Sequence, residues 1–190
     1  MQSVLLLDNH DSFTYNLAEL LRQNGKVRFN IHTPENLFLK AVGHYDKIIF
    51  SPGPGLPEEQ PVLFEILRFY GKRKPILGVC LGFQAIVIHF GGHLFNLESV
   101  VHGHPKKISI LKTVHPLFSD IPATVEAGLY HSWAVEKENL PECLEITAVS
   151  EEGLVMAVAH KTYDICGVQF HPESIMTPYG QKMIDNWLAT

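Results

Sequence analysis

Apolar positions in the first half of the chain alternate between two spacings. Short strand-like runs fall at 3–7, which reads as buried, and at 27–31, 47–50 and 75–79. Between them the spacing is helical. From Asp11 onward, Phe13, Leu17, Leu20 and Leu21 fall on one stripe, and Gly25 supplies the stop. Residues 58–70 and 83–90 read as further helices, the second closed by Gly91-Gly92. Alternating strands and helices build a parallel sheet with helices on both faces. Ligands in such sheets sit beyond the carboxyl ends of the strands. The loops 8–12, 51–57 and 80–82 are therefore expected to share one rim.

The second half changes character. Segments 107–111, 124–130, 145–149, 155–159 and 165–170 are strand-like, and a closing helix is expected over 179–188. That pattern predicts a mixed sheet whose later strands include antiparallel ones. No repeat, low-complexity stretch or linker interrupts the chain, so residues 1–190 read as one α/β domain.

Composition narrows the function classes. The chain has 190 residues, 46% hydrophobic and 18% charged, which describes a globular protein. A formal net charge of -5 with no basic cluster beyond Lys72-Arg73-Lys74 argues against a nucleic-acid surface. No apolar run approaches the roughly 18 residues of a membrane span. The start has neither a basic leader nor a small-residue cleavage site. Three cysteines, an odd count without a CxxC pair, fit a reduced cytoplasmic setting.

Candidate chemistry begins at Gly78-Val79-Cys80-Leu81-Gly82, a G-x-C-x-G pattern between a strand and a helix, the thiol version of the G-x-S-x-G elbow. A residue on so sharp a turn takes strained backbone angles, and side chains at the flanking positions would collide. The turn also sets Cys80 at a helix N-terminus, where the dipole favours thiolate. The pentapeptide alone leaves two readings open, a nucleophile and a buried small hydrophobe. Cys143 and Cys166, without glycines on both sides, read as ordinary thiols.

Two further segments matter only alongside Cys80. In Val168-Gln169-Phe170-His171-Pro172-Glu173, extended backbone would project His171 and Glu173 to the same side. A carboxylate beside imidazole fixes its tautomer and stabilises its protonated form, as a general base for a thiol requires. Among 11 histidines, a surface ion pair is the competing explanation. Ser51-Pro52-Gly53-Pro54-Gly55 follows a strand and is irregular. An acyl-transfer oxyanion needs two aimed N–H donors. Leu81 would provide one and Gly53 the other, since Pro52 and Pro54 have none. A rigid turn without chemistry is the alternative there. His102-Gly103-His104 sets two imidazoles on one side of an extended segment, but nothing nearby completes a ligand set. No metal and no cofactor is expected.

Taken together, these residues resemble the class I, triad-type glutamine amidotransferases over nearly the whole chain. Within that family the resemblance is to the small subunits of anthranilate synthase and aminodeoxychorismate synthase. It is carried by Asp8-Asn9-His10-Asp11-Ser12-Phe13-Thr14-Tyr15-Asn16, by 51–55 and 78–84, by Tyr130-His131-Ser132, and by 167–174. The resemblance implies a flavodoxin-like α/β fold with Cys80 as nucleophile, His171 as base and Glu173 as its orienter. It implies an L-glutamine pocket at Gly53, Gly55, Gln84, Ser132 and Trp133. It also implies a protein partner, a separate chorismate-using synthase subunit. Segment 8–16 is then part of the interface, with Asp11 or Ser12 as an ordinary helix cap. The chain departs from the family at Phe83, where histidine is frequent, and at Trp133, where leucine is. Two rivals share the fold: a free-standing cysteine hydrolase or peptidase, and a non-catalytic regulatory module.

Overall fold

The computed structural model describes residues 1–97, 103–111 and 115–190, with His104 described by its backbone alone. His102 lies outside the described residues. The first strands are β1 (Gln2–Leu7), β2 (Val27–His32), β3 (Lys47–Phe50) and β4 (Ile76–Val79). Helices α1 (Thr14–Asn24), α2 (Pro61–Tyr70) and α3 (Leu81–His89) connect or follow them. The second half supplies β5 (Leu94–Asn96), β6 (His104–Ile110), β7 (Thr124–Leu129), β8 (Trp133–Val135), β9 (Leu144–Ser150), β10 (Val155–His160), β11 (Ile165–Val168) and α4 (Gly180–Leu188).

Among the described residues nine strands form one sheet in the order β2-β1-β3-β4-β11-β10-β9-β6-β7. From β2 to β11 every pairing is parallel, and from β11 to β7 every pairing is antiparallel. The mixed sheet expected from the two halves is thus one continuous sheet. The change of direction falls between β11 and β10.

Period-two alternation along the central strands explains the layers. Val4, Leu6, Ile49, Leu77 and Val79 face α1 and α4, where Leu17, Leu21, Ile184 and Trp187 bury against them. Leu5, Leu7, Ile48, Phe50 and Ile76 face the other way, onto Leu63, Ile66 and Ile86 of α2 and α3. Each such side chain contributes about 1.5–3 kcal/mol by leaving water. Lys47, 1% exposed, donates from Nζ to the Trp187 carbonyl at 2.6 Å and to Thr190 Oγ1 at 2.7 Å, fastening α4 to the sheet.

Several boundaries differ from the sequence expectation. The helix expected from residue 58 is a 3₁₀ turn over Pro57–Glu59, and α2 begins at Pro61. A residue before proline is pushed out of the α region, and Gln60 has φ -119° and ψ 72°. Helix α1 begins at Thr14, and neither Asp11 nor Ser12 is its cap. Instead Asp11 Oδ1 accepts the Phe13 N–H, while Asp8 Oδ1 accepts the Asp11 N–H and the Thr14 hydroxyl, holding a turn. Strand β11 ends at Val168, although the Gln169 N–H still donates to the Met156 carbonyl of β10 at 2.8 Å, in register with the Ala157–Val168 pair. Strands β5 and β8 have no counterpart in the sequence expectation. Among the described residues they pair only with each other, and runs of three residues carry too little periodicity to read.

Candidate active site

Strand β4 ends by delivering Cys80 into a backbone conformation of φ 52° and ψ -101°, which a side-chain-bearing residue rarely holds. Two hydrogen bonds clamp it there. The Cys80 N–H donates to the Val168 carbonyl at 2.8 Å, and its own carbonyl accepts from the Gln84 N–H at 3.0 Å. Both flanking glycines are required sterically. A β-carbon on Gly78 would strike the carbonyl of Gly82, and one on Gly82 would lie 2.5 Å from the Phe50 β-carbon. Cys80 caps α3, so Leu81 carries one of the N–H groups without an acceptor inside the helix.

The three expected rim loops do converge. A cleft of about 480 Å³ is lined by residues 10–13, 52–54, Cys80, Tyr130 and His171. Asn9 and Ser51 stitch two of the loops together. The Asn9 N–H donates to Ser51 Oγ at 2.9 Å, and Asn9 Nδ2 donates to the Ser51 carbonyl at 2.8 Å. Gly53 passes so close that a β-carbon there would lie 2.6 Å from Leu81 Cδ2 and 2.7 Å from the Asn9 β-carbon. The two expected oxyanion donors, Gly53 and Leu81, are therefore neighbours.

His171 and Glu173 meet, but not through extended backbone. Residues 171–174 form a β-turn closed by the Ser174 N–H on the His171 carbonyl at 3.1 Å, with Pro172 second in the turn. Within it His171 Nδ1 and Glu173 Oε1 are 2.7 Å apart, and both side chains are buried. Nδ1 carries the proton, since a carboxylate only accepts. The turn is held from two sides. The His171 N–H donates to the Gly128 carbonyl at 3.0 Å, and Thr177 Oγ1 donates to the His171 carbonyl at 2.6 Å while accepting the Gly128 N–H at 3.0 Å. Phe13 and Tyr130 wall the imidazole, with ring centroids 5.3 and 4.8 Å from it.

Burial pulls the His171 pKa down, but the Cys80 thiol and the Glu173 carboxylate outweigh it and raise the pKa above that of a free imidazole. Its Nε2 is buried without a hydrogen-bond partner among the described residues. His131 behaves oppositely: burial, then the charge on His171, pushes it down to about 4.

The residues expected around glutamine divide. Gly53 lines the cleft. Gln84, 4% exposed, lies behind Cys80, with Nε2 donating to the Trp133 carbonyl and to Gln169 Oε1, both at 3.1 Å. Ser132 and Trp133 lead into β8, and the Ser132 carbonyl accepts the Leu97 N–H at 2.8 Å. Gly55 is exposed and has φ 74°, with Glu59 beside it. Sequence reasoning gave no role to Thr177 or Gly180, and it named Phe13, Tyr130 and Gln169 only within the segments that carry the resemblance. The one readable signal was Gln169, a polar residue inside the apolar run 165–170.

Among the described residues no group of three or more metal-ligating side chains gathers, and no helix is long and apolar enough to cross a membrane. Comparison with known proteins gives the family. The family model for class-I glutamine amidotransferases matches residues 5–190. A candidate anthranilate synthase component II from Haemophilus influenzae is 46% identical, over 98% of this chain and 95% of that one. The aminodeoxychorismate/anthranilate synthase component 2 of Bacillus subtilis is 37% identical, over 98% of this chain and 96% of that one. The crystal structure of a candidate GMP synthase subunit from Thermoplasma acidophilum superposes with a TM-score of 0.89. It is 25% identical and covers 100% of this chain and 93% of that one. The cleft around Cys80 thus sits in a chain that belongs to the class-I glutamine amidotransferases.

Proposed function

We propose that this chain is the glutaminase subunit of a chorismate-using synthase, releasing ammonia from L-glutamine through a Cys80 thioester. The observation that carries the reading is the pairing of a strained Cys80 with a buried imidazole whose Nδ1 is held by Glu173, in one cleft.

His171 takes the Cys80 proton on Nε2, and the sulfur attacks the side-chain amide carbon of glutamine. The carbonyl oxygen becomes an oxyanion held by the N–H groups of Leu81 and Gly53. Collapse of that intermediate breaks the C–N bond, and His171 passes its proton to the departing ammonia. His171 then takes a proton from water, whose oxygen attacks the thioester. Collapse gives glutamate, and the proton returns to the sulfur. Glu173 keeps the imidazole in one tautomer and stabilises it while it is charged. Gly53, Gly55, Gln84, Ser132 and Trp133 form the glutamine pocket. No step requires a metal or cofactor.

The ammonia passes to a separate synthase subunit, component I, which converts chorismate to anthranilate, to aminodeoxychorismate, or to both. The relatives named as component 2 of such synthases support this partner. A groove of about 530 Å³ between α1 and residues 172–181 runs beside the His171 turn and supports docking there. Three free cysteines fit a cytoplasmic setting.

The test mixes the chain with each candidate synthase subunit, glutamine and chorismate, and measures glutamate, anthranilate and aminodeoxychorismate. Cys80→Ala should abolish glutamate release. Retained hydrolysis in that variant, or no product with any synthase subunit, would overturn the proposal.

A further inference from the structure

The Cys80 sulfur has a polar neighbour that takes no part in the steps above. Gln169 is fully buried, and its Nε2 lies 3.6 Å from Cys80 Sγ. Which end of an amide is nitrogen must be argued from its partners, and here the far end of the chain of contacts settles it. The Trp133 carbonyl can only accept, so the Gln84 atom 3.1 Å away is the NH₂ nitrogen. That same nitrogen is 3.1 Å from the Gln169 amide, so the Gln169 atom facing it is oxygen. The Gln169 NH₂ group is thereby turned toward the sulfur. Donation runs outward from Gln84, to the Trp133 carbonyl on one side and through the Gln169 amide to Cys80 on the other.

We propose that Gln169 is a positioning residue for the nucleophile: its N–H orients the Cys80 sulfur and stabilises the thiolate, and Gln84 fixes the sense of that amide. The proposal rests on Cys80 being the nucleophile of the glutaminase reaction. A hydrogen bond to an ionised acceptor is stronger than one to a neutral acceptor, so a donor at this position favours thiolate over thiol. It approaches from the side of β11, leaving His171 to receive the proton. Gln84 acquires a role in addition to its place in the pocket wall, because an unrestrained Gln169 amide could present its oxygen to the sulfur instead.

The test needs neither glutamine nor a partner. Iodoacetamide alkylation of the whole chain is followed across a pH series, and the Cys80 peptide is quantified by mass spectrometry so that Cys143 and Cys166 do not interfere. Gln169→Leu should move the midpoint of the Cys80 profile up by about one pH unit, roughly tenfold less thiolate at a given pH. Gln169→Glu should move it further, since a carboxylate sets like charge beside the sulfur. Gln84→Leu, which leaves Gln169 in place, should move it in the same direction by less.

A folded Gln169→Leu chain with an unchanged midpoint and only a lower melting temperature would make Gln169 a buried filler and overturn the proposal. Should Gln169→Leu fail to fold, an unchanged midpoint in Gln84→Leu would overturn it equally. Failure of the glutaminase reading is a separate result. It appears as absent glutamine hydrolysis in the wild-type complex, whatever the alkylation midpoints do.

Discussion

The backbone of Gly180, at the start of α4, packs directly on the carbonyl of Pro172, and any β-carbon at Gly180 would overlap that oxygen. Pro172 separates His171 from Glu173, so the helix start acts as a backstop for the turn that pairs them. Gly180→Ala must displace either the turn or α4. The expected cost is about 1–3 kcal/mol of stability by urea denaturation, with glutamine hydrolysis lowered at least tenfold. Gly153→Ala is the control. Its β-carbon meets nothing, and its φ of 85° leaves only the cost of a left-handed conformation, about 1–2 kcal/mol, with activity intact. Equal activity in the two variants would remove Gly180 from any role at the site.

Glu173→Gln keeps the shape of the orienter and removes its charge. Glu173 is one of the influences that raise the His171 pKa, so its neutral replacement lets burial pull the imidazole down. The His171 ring signal in an NMR titration should show its midpoint at lower pH than in the wild type. Hydrolysis should fall by up to about 10⁴-fold, the scale seen when a triad orienter is neutralised. An unmoved midpoint would mean that Glu173 does not act on the imidazole charge.

His131 predicts how stability depends on pH. Its folded pKa is pushed down to about 4 from an ordinary 6.5, so between those values the unfolded chain binds a proton that the folded chain refuses. Stability therefore falls as pH drops from 6.5 toward 4, by roughly 3 kcal/mol over the window. His171 does not confuse this limb. Its folded pKa is raised, so its contribution is complete below the unfolded value and is lost only as pH rises above it. His131→Phe should flatten the acid limb in urea titrations at several pH values. A limb of unchanged slope would show that His131 is not protonated differently in the two states.

Motif residues and central strands were legible because their signals are local. Gly78, Cys80 and Gly82 lie within one pentapeptide, and the collisions that require glycine occur within that turn and against Phe50. The pairing of His171 with Glu173 was also legible, though for the wrong reason. Pro172 makes a turn there and not an extended strand, because the Ser174 N–H reaches back to the His171 carbonyl. What escaped was non-local. Gly128 reaches Thr177 across 49 residues of sequence to hold the His171 turn, and Gln84 orients Gln169 across 85. No periodicity records such contacts. The capping role expected of Asp11 or Ser12 failed for a local reason, because Asp8 and Asp11 use their carboxylates on a preceding turn.

The groove beside α1 leads to the last prediction. Ile175 is 97% exposed and borders that groove, two residues beyond Glu173, while Tyr15 in the first turn of α1 is 67% exposed. A large aliphatic side chain held almost wholly in water gains about 1.5–3 kcal/mol if a partner covers it. Phe13 and Tyr130 line the same groove and also contact the His171 ring, so a partner seated there touches the walls of the base. Ile175→Asp should weaken binding to the synthase subunit by at least tenfold in calorimetry while leaving the melting temperature of the free chain within a degree or so. Partner-dependent hydrolysis should fall when the synthase subunit is subsaturating and recover when its concentration is raised. Unchanged affinity in the Ile175→Asp and Tyr15→Asp variants would move the docking face elsewhere. Loss of hydrolysis that excess partner cannot restore would mean that Ile175 acts on the His171 turn and not on docking.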